Sequence, residues 1–151
     1  MIIADTNVVS EFMKETPDAA VMSWAQGIAP ADLGICVVTI EEIERGLGRL
    51  PAGRRRGDLL RRWTELLQAF ADTVVVYDAP AARETAAILV AAEVSGRPMS
   101  LADAQIAGIS RAGGHHLATR NIADFDTVTG LALINPFHPK PTEHVAGAQT
   151  R

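Results

Sequence analysis

Four acidic positions carry the chemistry that this chain could do. Asp5 closes the apolar run Met1-Ile2-Ile3-Ala4. Three further acids share one local context: Thr39-Ile40-Glu41-Glu42, Ser100-Leu101-Ala102-Asp103 and Asn121-Ile122-Ala123-Asp124 each set a capping side chain three residues ahead of a carboxylate, where a helical pattern begins. That spacing matches a capping box or a close relative of it, in which the acid satisfies free backbone N–H groups and the helix dipole. A second reading comes from the surroundings, because two of these helix starts follow directly on predicted strands, at the sheet edge where Asp5 must lie. Oxygen ligands without His or Cys suit Mg²⁺ or Mn²⁺ rather than Zn²⁺. A divalent ion held there would activate a water for in-line attack and neutralise charge building on a phosphoryl group. Carboxylates so crowded would also repel one another, raising their pKa values and making the site a source of instability at neutral pH.

Other groups that could do chemistry read as bland. Glu41 and Glu44 read as solvated, and His115 and His116 are neighbours in a strand, so they face opposite ways and read as structural. Cys36 is the single cysteine, sits inside the apolar run Leu33 to Val38, and packs as a small apolar group.

The elements that must position the acids follow from the pattern. An apolar run bounded by turn-formers reads as a buried strand, and in an open parallel sheet the ligand crevice lies beyond the carboxyl ends of the strands. Strands are expected at the N-terminus and at Leu33 to Val38, Thr73 to Tyr77, His115 to Ala118 and Ala132 to Asn135. Helices are expected at Val8 to Lys14, from the Asp18 cap through Trp24, at Thr39 to Leu50 and at Arg54 to Ala71. Further helices run from Asp78-Ala79-Pro80 to Val94 and from Leu101 to Arg111, and a short helical turn follows Asn121. The alternation predicts an α/β fold: a three-layer α/β/α sandwich with a mainly parallel five-stranded sheet over residues 1–136, then a polar tail, 137–151.

Composition agrees. A chain of 151 residues that is 48% hydrophobic can bury one full core. Met1 leads straight into a strand with no basic leader, and no apolar run approaches membrane-spanning length, so a cytoplasmic protein without a membrane partner is expected. The net charge of −4 argues against binding nucleic acid by bulk attraction. Setting four site carboxylates aside, however, leaves 14 of the 18 acids to balance 14 Lys and Arg. Arg54, Arg55, Arg56, Arg61 and Arg62 crowd together as a candidate nucleic-acid contact or a solvated helix face. The stretch Ala86 to Ala92 is apolar all round its helix, which asks for cover on more than one side, by the core or by a homodimer partner.

Taken together, four motifs resemble a known family, the PIN domain, and within it the VapC-like toxin ribonucleases of bacterial toxin-antitoxin pairs. They are Ile3-Ala4-Asp5-Thr6-Asn7, Thr39 to Gly46, Leu101-Ala102-Asp103 through Ala107, and Ala118-Thr119-Arg120-Asn121 through Phe125, and the resemblance covers Met1 to about Pro136. It implies that Asp5, Glu42, Asp103 and Asp124 are both the catalytic and the metal-binding carboxylates. Glu42 is preferred to Glu41 because the family pattern is acid, aliphatic, two residues, Gly. The resemblance also implies that Asn7, Thr119 and Asn121 support the cluster, that Mg²⁺ or Mn²⁺ is the cofactor, and that the partners are an RNA substrate, a cognate antitoxin and a second copy of the chain. RNA, rather than DNA, rests on the resemblance alone, since metal-activated water does not use the 2′-hydroxyl.

Two other functions compete. A phosphohydrolase of the haloacid-dehalogenase kind also starts with Asp after its first strand, but it needs a second Asp where this chain has Asn7 and a later lysine where this chain has none, its lysines being Lys14 and Lys140. A non-catalytic acidic module, holding a structural ion or an antitoxin segment, would use the same four acids.

Overall fold

The run Ile2–Ala4 forms β1, and the other strands take their places on either side of it. The computed structural model describes residues 1–138 and, as backbone, Glu143–Val145. In chain order the elements are β1 (Ile2–Ala4), α1 (Thr6–Phe12), α2 (Ala19–Gln26), β2 (Leu33–Cys36), α3 (Val37–Arg49), α4 (Arg54–Ala69) and β3 (Val74–Val75). There follow α5 (Ala79–Val94), α6 (Leu101–Ala112), β4 (His116–Ala118), α7 (Ile122–Phe125), β5 (Ala132–Ile134) and β6 (Glu143–Val145). The sheet order is β3-β2-β1-β4-β5-β6. The first five strands are parallel, as expected, and β6 adds an antiparallel edge with Ala132 opposite Val145. That strand lies within the stretch expected to be a polar tail; the rest of the tail from residue 139 lies outside the described residues.

Side chains alternate across the strands, which is why the sheet needs cover on both faces. Ile3, Cys36, Leu117 and Leu133 pack into one apolar cluster with Ile88 of α5 and Ile106 of α6. Ala4, Ile35, Ala118 and Ile134 pack into the other, with Val9 of α1, Ile43 of α3 and Trp63 of α4. The result is the three-layer sandwich.

Most boundaries shift by a residue or two from the sequence expectation, and three of the shifts have a visible cause. The strand expected through Val38 stops at Cys36, and α3 begins at once with Val37, so the β-branched pair Val37-Val38 is helical. Val38 still reaches the core, so tertiary burial overrides its strand preference. β3 shrinks to two residues because it is a sheet edge, and Val76 and Tyr77 beyond it are 61% and 37% exposed. α1 starts two residues early, at Thr6, because Asp5 itself caps it.

β1 is central, with β2 and β3 on one side and β4 and β5 on the other. The direction of winding therefore reverses between β1 and β4, and in open sheets of this kind the ligand crevice lies at the carboxyl ends of the strands that flank the reversal.

Candidate active site

Asp5 stands at that reversal. It follows β1 directly, its backbone N–H donates to the Ala118 carbonyl at the end of β4 (3.0 Å), and its Oδ1 accepts from the Val8 N–H (3.0 Å) as the cap of α1. Only 4% of it is exposed, and among the described residues it forms no ion pair with Lys or Arg. Burial pushes its carboxyl up from an ordinary 3.8 to about 6; the Thr119 hydroxyl and the Val8 and Asn7 N–H groups pull it part of the way back, and the Asp103 charge adds a smaller push upward. Repulsion among the acids is therefore present at Asp5 but is second to desolvation.

Thr119 is fully buried at the end of β4. Its hydroxyl oxygen accepts from the Asn121 N–H (2.9 Å), which leaves the hydroxyl proton for Asp5. Asn7 and Asn121 are exposed at the rim. Glu42 lies one and a half turns into α3, half-buried, and accepts a hydrogen bond from the Thr6 hydroxyl. Since Thr6 follows Asp5, the first turn of α1 ties two of the four acids together. Thr6 is a site residue that sequence reasoning quoted within a motif and gave no role.

The capping alternative now divides by position. At Thr39 it fails, because Thr39 is buried inside the first turn of α3 and its hydroxyl lies 3.7 Å from Cys36 Sγ. At Asn121 it fails too, because the side chain makes no cap bond and Asp124 meets Asn121 only through backbone, N–H to carbonyl at 3.0 Å. At Ser100 it is realised: the Asp103 N–H donates to Ser100 Oγ (3.1 Å), and the Ser100 hydroxyl donates to Asp103 Oδ2 (2.7 Å). Asp103 nevertheless lines a cleft of about 200 Å³ with Asp124, Arg97 and Ser100, and its charge acts on Asp5.

The four acids thus form a linked series along the carboxyl edge: Glu42 to Thr6, Thr6 beside Asp5, Asp5 in the field of Asp103, and Asp103 across a cleft from Asp124. Among the described residues no three Asp, Glu, His or Cys side chains close on one point as ligands. Glu42 and Asp103 take hydroxyl partners and Asp5 takes amide and hydroxyl partners instead. The donor set, all oxygen with one deeply buried member, fits a hard divalent cation.

The remaining candidates separate clearly. Glu41 is exposed and pairs with Arg45 (3.5 Å), while exposed Glu44 also accepts from the buried Trp63 indole (3.3 Å). His116 donates its backbone N–H to the Met1 carbonyl, at the opposite edge of the sheet from the crevice, and His115 is held below its ordinary pKa by burial and by the nearby chain N-terminus. The arginines lie on α4 but do not act as one patch. Arg61 pairs with Asp58 (3.2 Å), and Arg62, which donates to the Met13 carbonyl (2.9 Å), lines with exposed Arg54 and Arg55 a cleft beside the end of α1 that also holds Lys14, Glu15 and Asp58. Arg56 is half-buried and its Nε has no partner among the described residues.

Fold and site together define an α/β protein with an acidic crevice at the reversal point of a parallel sheet. The chain belongs to the PIN-domain family, whose model, described as PIN domain, matches residues 2–131. A relative from Sinorhizobium fredii, described as VapC ribonuclease Y4jK, is 38% identical over 140 residues, covering 92% of this chain and 99% of its own. Toxin FitB of Neisseria gonorrhoeae is 30% identical over 139 residues, covering 91% of this chain and 99% of its own. The crystal structure of FitAcB from Neisseria gonorrhoeae matches with a TM-score of 0.83 at 29% identity, over 91% of this chain and 99% of that one. The dehalogenase-like alternative is set aside by this family match.

Proposed function

We propose that this chain is a metal-dependent endoribonuclease and the toxin of a toxin-antitoxin pair. The observation that carries the reading is a carboxylate, Asp5, buried at the reversal point of the sheet with no cationic partner among the described residues, in a chain whose relatives include a VapC ribonuclease and the toxin FitB. Asp5, Glu42, Asp103 and Asp124 would hold Mg²⁺ or Mn²⁺. A bound ion of this kind supplies an activated water and offsets charge developing on the phosphoryl group. The chain's own part is to fix the acids. Thr119 directs its proton to Asp5, Thr6 directs its own to Glu42, and Ser100 holds Asp103 at the head of α6.

Arg54 and Arg55 serve as phosphate contacts, while Arg62 ties α4 to the Met13 carbonyl; replacing the first pair with Ala should flatten the salt dependence of RNA binding, and an unchanged slope would remove them from the interface. A cognate antitoxin and a second copy of the chain are the protein partners in this reading. It puts the protein in the cytoplasm, where its RNA is. Among the described residues no helix is long and apolar enough to cross a membrane.

A non-catalytic acidic module stays as the second reading, favoured by the one observation that no three acids close on a point among the described residues. RNA incubated with the protein and Mn²⁺ or Mg²⁺ should be cut, and chelator or Asp5→Asn should abolish cutting. Metal binding without cleavage by the wild-type protein would favour the module.

A further inference from the structure

Asp103 and Asp124 reach the crevice from different elements, the head of α6 and the short α7, and one side chain spans the gap between those elements. The chain leaves α5 through Ser95 and Gly96, whose φ of +69° suits glycine. The Gly96 N–H donates to the Glu93 carbonyl (3.1 Å) and the Arg97 N–H to the Ala92 carbonyl (3.0 Å), the two bonds of a Schellman turn. Pro98 then restricts the backbone that leads into Ser100, the cap of α6. From this anchored turn the Arg97 guanidinium donates through Nη2 to the Ala123 carbonyl (2.9 Å) and through Nη1 to Asp126 Oδ1 (3.3 Å). Ala123 immediately precedes Asp124. Arg97 also lines the cleft that Asp103 and Asp124 share.

We propose that Arg97 is a positioning residue: its two-pronged bond to α7 sets the separation of Asp103 and Asp124, and with it the affinity of the crevice for a divalent cation. This rests on the metal-centre reading above. A stabilising role accounts for it poorly, since the Arg97 and Asp126 side chains are 54% and 39% exposed and such pairs contribute little to stability. Its charge has the wrong sign to help directly, because a guanidinium beside the cleft repels a cation. Removing it would tighten ion binding if charge alone mattered, and would weaken ion binding if spacing matters. Lysine keeps the charge but loses the rigid fork that reaches two acceptors at once.

The test is Mn²⁺ binding, followed by the paramagnetic resonance signal of free Mn²⁺, for the full-length wild type, Arg97→Ala and Arg97→Lys, with thermal melts in chelator alongside. Groups bonded directly to metal ligands commonly change metal affinity by about ten- to a hundredfold, and Arg97, which bonds the residue before Asp124, belongs at the lower end. We expect Arg97→Ala to raise the Mn²⁺ dissociation constant by about tenfold and Arg97→Lys to raise it by less, with melting in chelator near wild type. Cleavage by Arg97→Ala should recover as Mn²⁺ is raised toward saturation. Affinity equal to or tighter than wild type in both variants would overturn the strut, and if Arg97→Ala does not fold, Arg97→Lys alone decides. A wild-type protein that binds no Mn²⁺ would overturn the metal-centre reading and the strut with it, whereas wild-type binding with unchanged variants overturns the strut only.

Discussion

At Asp5 two demands meet in one side chain. As the cap of α1 it must accept the Val8 N–H, and as a candidate ligand it must present charge to the crevice from a position that is 4% exposed. The cap favours the carboxylate and burial opposes it, and burial is the larger influence, so the carboxyl titrates at about 6 instead of 3.8. Between those two pH values the folded chain holds a proton that the unfolded chain has released. The contribution of Asp5 to stability therefore falls as pH rises through that window and levels off above it, by about 3 kcal/mol. Asn in place of Asp keeps the cap and avoids the buried charge. Asp5→Asn should accordingly melt above wild type at pH 7.5 in chelator and close to it at pH 4, while cutting no RNA. Wild type as stable as Asp5→Asn at pH 7.5 would mean that the charge costs nothing where it is buried.

Among the elements, those whose signals are local were legible and those decided by distant contacts were not. Asp18, Asp78 and Ser100 cap α2, α5 and α6 as their spacing implies, and Ser95-Gly96 and Gly113-Gly114 stop the helices they follow. The positions of Asp5 and Asp103 were readable because each stands at the head of a helix, whereas Glu42 lies one and a half turns into α3, which starts two residues before its pattern implies. The early start of α3 was not, because nothing local distinguishes helical Val37-Val38 from the strand before it. Nor was the reach of Arg97, whose partners lie 26 and 29 residues away. Gly108 belongs with these: in sequence it is a weak residue inside a helix, and in the fold it is the point where α6 meets α5. A Cβ there would stand 2.2 Å from Thr85 Oγ1 and 2.8 Å from the Ala81 carbonyl. Alanine would gain up to about 1 kcal/mol of helix propensity and lose about 1–3 kcal/mol to overpacking. Urea denaturation of Gly108→Ala should show a net loss, and a gain would mean that the two helices separate without cost.

For the molecule as a whole, α5 also explains why its sequence is apolar on every side. Ala81, Thr85, Ile88 and Ala92 are buried in the core, and the opposite face leaves Ala86, Ala87 and Ala91 exposed with Val90 and Val94 at 59% and 84%. A cleft of about 240 Å³ lined by Ala87, Ala91 and Met99 runs beside that face. Contiguous exposed apolar surface of this kind marks an association site. A symmetric pair of chains would bury α5 against its own copy and leave the carboxyl-edge crevice of each chain to RNA. Light scattering should therefore give twice the chain mass for wild type. Val90→Glu should give the single-chain mass with an unchanged melting profile once dimer and monomer are compared at equal chain concentration, because that side chain makes no core contact to lose. A monomeric wild type at high concentration would remove the dimer, and a Val90→Glu protein that still pairs would move the interface away from α5.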